Sequence, residues 1–177
     1  MTNRVGGRFA PTAAFPATNH LGYLCLSAAG GHPGESPALA CIRRWISPAD
    51  GTIRVEGTFR HQSHQGDGVR GRIVGSRNGK LGEWIVYDNH VETSLSKLDV
   101  KRGDALDFVV DCLGDAYFDS FTWRPKITFL TTEDPLVQRE WDAKTDFNVK
   151  VQPRVPLTPW EQLAQVLLLS NELIFID

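Results

Sequence analysis

Residues 121–129 read Phe-Thr-Trp-Arg-Pro-Lys-Ile-Thr-Phe, which places Phe121, Trp123, Ile127 and Phe129 at a spacing of two. Successive side chains of an extended chain point to opposite faces of a sheet, so this period predicts a strand with one buried face. The pattern recurs upstream. In residues 51–59, Ile53 and Val55 alternate with Arg54 and Glu56, and in residues 69–73 Val69 and Ile73 share one face while Arg70 and Arg72 share the other. That parity predicts two guanidinium groups side by side, either outward or across a groove.

Further strands are expected at 21–28, 39–46, 72–76, 82–87, 94–100 and 106–111. Asn78-Gly79 marks a hairpin between two of them, because both residues tolerate a positive φ. Gly/Pro-rich or charged turns at 30–34, 47–51 and 101–104 separate others. Short strands with such frequent turns predict a two-layer antiparallel sandwich; a parallel sheet would need helical crossovers, and no helical period lies between these strands.

Residues 1–20 are rich in Gly, Pro, Ala and Thr without a period and read as an extended lead-in. The sandwich domain is expected over 21–132, a polar linker over 133–157 and a helical segment over 158–177. Thr158-Pro-Trp-Glu161 forms a capping box with proline in the first turn, which predicts a helix over 159–170. Trp160, Leu163, Ala164 and Leu167 make one apolar stripe, and Val166, Leu168 and Leu169 spread it around the cylinder. Such a helix expects cover from the sandwich, from a second copy or from an upstream domain. The expected class is mainly β: an antiparallel β-sandwich with one C-terminal α-helix.

Composition narrows the function. A net charge of −2 and a pI near 6.2 give no overall field that would draw the chain to nucleic acid. The most apolar run, 166–169, falls far short of the roughly 20 residues that span a bilayer. The amino terminus lacks the apolar core of a signal peptide. Cys25, Cys41 and Cys112 form neither a Cys-x-x-Cys pair nor a haem-attachment motif, so no haem or zinc ribbon is expected. A Cys25–Cys41 disulfide would suit an oxidising compartment, but three thiols scattered through apolar segments read as buried side chains.

Several segments carry a resemblance. Leu21-Gly-Tyr23, Gly30-Gly-His-Pro-Gly34, Ile42-Arg-Arg-Trp45, Gly66-Asp-Gly-Val-Arg70, Gly103-Asp-Ala-Leu-Asp-Phe-Val-Val-Asp111, Asp119-Ser-Phe-Thr-Trp-Arg-Pro-Lys-Ile127 and the stretch from Leu157-Thr-Pro-Trp-Glu161 to Asp177 keep their order along the chain. Together they resemble the carboxy-terminal part of large planctomycete cytochrome c domain-containing proteins. The resemblance implies a jelly-roll module of carbohydrate-binding type followed by the end of a planctomycete domain of unknown function. It also implies an exported protein, although this chain shows neither an export signal nor the family's haem motif and upstream helical region. A stand-alone gene, a split product and a truncated chain all fit that departure.

Sugar recognition needs aromatic faces for the C–H patches of the ring and planar polar groups for pairs of hydroxyls. Trp45, Trp84, Trp123, Arg70 and Arg72 are the candidates, with Asp119 as hydroxyl acceptor; core packing is the competing role for each tryptophan, most strongly for Trp123. Asp104, Asp107, Asp111, Asp115 and Asp119 supply oxygens for a structural calcium, yet none sits in an EF-hand spacing, and turn formation explains them equally well. His61, Gln62, Ser63 and His64 read as a polar hairpin loop rather than a metal or acid–base site. His32 lies in a Gly-Pro loop with no neighbouring carboxylate. No Gly-x-Ser-x-Gly elbow is present. The sequence therefore favours a non-catalytic glycan-binding module. A docking module, served by the C-terminal helix, and a polysaccharide lyase or hydrolase are the alternatives.

Overall fold

The computed structural model describes residues 3–146, all of them within one compact unit, Met1–Phe147. The first strands in chain order are β1 (Asn3–Val5), β2 (Arg8–Ala10), β3 (Cys25–Leu26), β4 (Gly30–His32), β5 (Cys41–Ile46), β6 (Gly51–His61) and β7 (Val69–Gly75). They are followed by β8 (Gly79–Val86), β9 (Asn89–Val100), β10 (Ala105–Cys112), β11 (Phe121–Trp123), β12 (Lys126–Thr132) and β13 (Glu140–Asp142). Every pairing is antiparallel.

One sheet is built around β6, which pairs with β9 on one side and with β11 and then β12 on the other. Beyond them run β4, β3, β2 and β1 in one direction and β13 in the other. The second sheet has the order β5-β10-β7-β8. Alternate residues of the two sheets meet in a shared core: Ile53, Val55, Phe59, Trp123, Ile127 and Phe129 from the first, Val69, Ile73, Leu106, Phe108 and Val110 from the second. Phe108 meets the Trp123 ring edge-on at 5.4 Å, and Phe59 lies 4.9 Å from it between ring centres. The indole is held in place because Trp123 Nε1 donates to Thr93 Oγ1 at 2.9 Å, satisfying its polar atom within the buried core.

The sandwich agrees with the expected alternation, and the expected class needs a correction. Among the described residues every regular element is a strand and none is a helix, so the fold seen is all β rather than mainly β with one helix. The helix expected over 159–170 lies outside the described residues. Two further differences have local causes. The 121–129 run divides into β11 and β12 at Arg124-Pro125, since proline has no N–H to give the ladder; burial still alternates through the break. Three short strands, β1 and β2 within 1–20 and β13 within 133–157, complete the first sheet without a period that announces them. Three residues are too few for alternation to register.

The strand registers gather three connections at one end of the sandwich. His61 is paired with Asn89 and with Phe121 in one sheet, and Val69 with Val86 and with Cys112 in the other. The segments 62–68, 87–88 and 113–120, each crossing between the sheets, therefore lie together as a rim. The Asn78-Gly79 hairpin closes the opposite end of β7 and β8, with Gly79 at a φ of 68°.

Candidate functional site

The rim is fastened by hydrogen bonds from side chains to backbone. His61, the last residue of β6, is buried; its Nδ1 accepts from the Asp88 N–H at 3.2 Å, so the ring proton sits on Nε2, which donates to the Phe118 carbonyl at 3.0 Å. Tyr87 donates its hydroxyl to the His64 carbonyl at 2.7 Å and stacks on His61 with ring centres 6.1 Å apart. Asp67 Oδ2 accepts from the Gly114 N–H at 2.7 Å. Gly66, at a φ of 83°, brings the backbone close enough that a Cβ there would lie 2.1 Å from the Tyr117 carbonyl oxygen, which only glycine allows. These ties join all three segments. They leave Tyr87, Tyr117 and Phe118 turned outward, at 48%, 72% and 53% exposed.

Beside this rim lies the outer face of the four-stranded sheet. Arg70 and Arg72 share one face of β7, as their parity predicts, and of the two positions left open by the sequence they take the outward one; the register sets Arg70 opposite Asp111 and Arg72 opposite Val109. Arg70 donates from Nε to Asp111 Oδ1 at 3.0 Å and holds the same oxygen from Nη2 at 2.9 Å. Arg72 Nη2 reaches diagonally to Asp111 Oδ2. Asp111 is wholly buried under the two guanidinium groups, while their side chains stay 31% and 28% exposed. Ile85, paired in register with Arg70, is exposed on the same face.

The remaining expected site residues lie elsewhere. Trp123 is core, and Trp84 faces inward with its ring edge-on to Trp123 at 6.3 Å. Trp45 also faces inward, 5.3 Å from Trp141 and 6.2 Å from Phe129 between ring centres. Asp119 is fully buried beneath the rim, and neither of its carboxylate oxygens has a hydrogen-bond partner. Burial pushes its carboxyl up to about 7, with the neighbouring charges of Asp67 and Asp115 adding to the rise. It cannot present a charge to a ligand hydroxyl from that position.

The five acids that offered oxygens for a calcium do not converge as a set, although Asp115 lies near enough to Asp119 to raise its carboxyl. Asp104 is held by Arg77 and the Lys101 N–H, Asp107 by Arg44, and Asp111 by Arg70 and Arg72. Asp115 accepts from the Tyr117 N–H within its own turn. Among the described residues no three His, Cys, Asp or Glu side chains converge on a metal position, so this set does not fit a shared calcium.

The arrangement thus brings together Arg70 and Arg72 and separates them from the three tryptophans. Sequence reasoning missed Tyr87, Tyr117 and Phe118. The available signal was an aromatic pair inside the turn-rich stretch 113–120, where no core period holds it. At the other end of the sandwich an open groove is lined by Thr52, Arg77, Asp99, Lys101 and Thr131 among others, with no aromatic ring. No helix among the described residues is long and apolar enough to cross a membrane.

No family model and no curated protein matches the chain. Among solved structures it is similar to the Podospora anserina GH26-CBM35 β-(1,4)-mannanase, at 13% identity over 73% of this chain and 26% of that one, with a TM-score of 0.35.

Proposed function

We propose that the sandwich is a non-catalytic carbohydrate-binding module that takes a polysaccharide along the outer face of β7, β8 and β10 and the adjoining rim. The observation that carries this reading is a sheet face on which two fixed guanidinium groups, Arg70 and Arg72, stand beside the exposed Ile85, and which ends at a rim bearing the exposed Tyr87, Tyr117 and Phe118. A neutral sugar ring offers C–H patches and hydroxyl pairs. Aromatic and aliphatic faces suit the first, and planar guanidinium donors suit the second. Because Asp111 already holds the two arginines and the His64 carbonyl the Tyr87 hydroxyl, binding need not order those side chains anew.

Affinity electrophoresis of the full chain on a panel of plant, algal and bacterial polysaccharides tests the reading. Retention on at least one glycan, reduced about tenfold by Tyr117→Ala, is the expected result, equivalent to about 1.4 kcal/mol. No retention on any glycan, or retention unchanged in Tyr87→Ala, Tyr117→Ala and Phe118→Ala alike, overturns it.

A further inference from the structure

The charge balance on the outer face of the four-stranded sheet names the kind of glycan, on the reading just proposed. Two guanidinium groups share one carboxylate: Arg70 takes Asp111 Oδ1 and Arg72 takes Oδ2. The other acids of the face have partners of their own. Asp107 is held by Arg44 at 2.8 Å, and Glu83, the cross-strand neighbour of Arg72, turns to Lys80 at 3.4 Å. On the sheet face itself Arg44, Arg70, Arg72 and Lys80 face Asp107, Asp111 and Glu83, one positive charge in excess at the Arg70–Arg72 pair, whereas the adjoining rim carries Asp67, Asp88 and Asp115, so the anion's place is on the sheet and not on the rim.

The donors to satisfy an anion are in place. Each guanidinium has five N–H groups. Arg70 gives Nε and Nη2 to Asp111 and Arg72 gives Nη2; Arg72 Nε is buried beneath the face, so the donors that reach a ligand are the Nη1 groups of the two part-exposed side chains. Two like charges held at the two oxygens of one carboxylate attract a second anion between them, which completes an alternating set. Such charge-assisted, planar contacts fit a carboxylate or a sulfate group. The exposed Ile85, paired in register with Arg70, offers an apolar surface for the ring that carries the anion.

We propose that the Arg70–Arg72 pair binds the anionic substituents of an acidic polysaccharide, uronate carboxylates or sulfate esters, so that the module prefers charged over neutral glycans. A single excess charge makes a weak contact, and a chain with an anion on successive residues gains by rebinding along its length.

The test is affinity electrophoresis of the full chain through gels carrying polygalacturonate, carrageenan, galactomannan or DNA, each at low and high salt. Expected are retention on polygalacturonate or carrageenan about tenfold above galactomannan, loss of most of it at high salt, and a further loss of about tenfold in Arg72→Gln. The two acidic gels separate carboxylate from sulfate recognition. Glu83→Gln leaves Asp111 and its partners untouched and should strengthen retention, which keeps the test open if Arg72→Gln fails to fold. Equal retention on galactomannan, or no gain in Glu83→Gln, overturns the preference while leaving a neutral-glycan module standing. Retention on DNA equal to that on the acidic glycans marks a contact with any polyanion and also overturns it. No retention on any glycan removes the underlying reading as well.

Discussion

His61 Nε2 stands 3.8 Å from Asp119 Oδ1, yet its proton goes to the Phe118 carbonyl, leaving the aspartate without a hydrogen bond inside the sandwich. A carboxylate so placed is disfavoured in its charged form, which is why its carboxyl rises from 3.8 to about 7. In the folded chain Asp119 keeps its proton across the interval where the unfolded chain has lost it. Its contribution to stability is therefore full below about pH 4 and is lost as the pH rises through about 7. The stability difference between Asp119→Asn and the parent, measured by urea unfolding across this window, should move in favour of the variant with rising pH. The gain should reach roughly 2–4 kcal/mol. A difference independent of pH would refute the buried, unpartnered carboxyl.

Asp111 offers the opposite case, a buried carboxylate with two cations. Removing it in Asp111→Ala leaves Arg70 and Arg72 facing each other with no anion between them. Breaking a buried pair costs about 3–5 kcal/mol, and here roughly 2–3 kcal/mol is expected, because both guanidinium groups keep part of their hydration. The loss should shrink in concentrated salt, where the mutual repulsion is screened. A variant as stable as the parent in low salt would show that the cluster contributes nothing to folding.

Gly71 lies on the inner face of β7, and a Cβ there would meet the Phe59 ring at 2.7 Å. Phe59 is itself locked between Phe121 and Trp123 and has no room to retreat. Gly71→Ala should therefore destabilise the sandwich by about 1–3 kcal/mol through overpacking, read as a lowered midpoint in chemical unfolding. An unchanged midpoint would mean that the two sheets are less tightly apposed than described.

All three cysteines are free and buried. Burial pushes the Cys41 thiol up to about 12 and raises those of Cys25 and Cys112 as well. Because the thiolate is the reactive species, a thiol reagent should label the native chain very slowly and all three positions at once on unfolding. Labelling of a single cysteine in the denatured, unreduced protein would reveal a disulfide between the other two.

How much of this was legible in the sequence depends on the range of the interaction responsible. The alternation through Ile53, Val55, Phe121, Trp123, Ile127 and Phe129 is written residue by residue, because the pleat of an extended chain enforces it locally; so are the Asn78-Gly79 turn and the shared face of Arg70 and Arg72. A strand of three residues such as β13 carries no such record, and its place is given by pairing with β12. Which face a tryptophan takes was equally out of reach for Trp45 and Trp84, whose inward position follows from the sheet that covers them.

The sequence alone thus determined that the chain would alternate, turn often and stack two antiparallel layers, since those properties follow from backbone geometry and side-chain polarity over a few residues. The tertiary structure alone decided that Asp111 lies between Arg70 and Arg72, forty-one and thirty-nine positions away along the chain, and that Asp119 sits unpaired beneath Tyr117 and Phe118. Those relations depend on strand order and register, which no local pattern encodes. They arise only when distant segments compete for the same core.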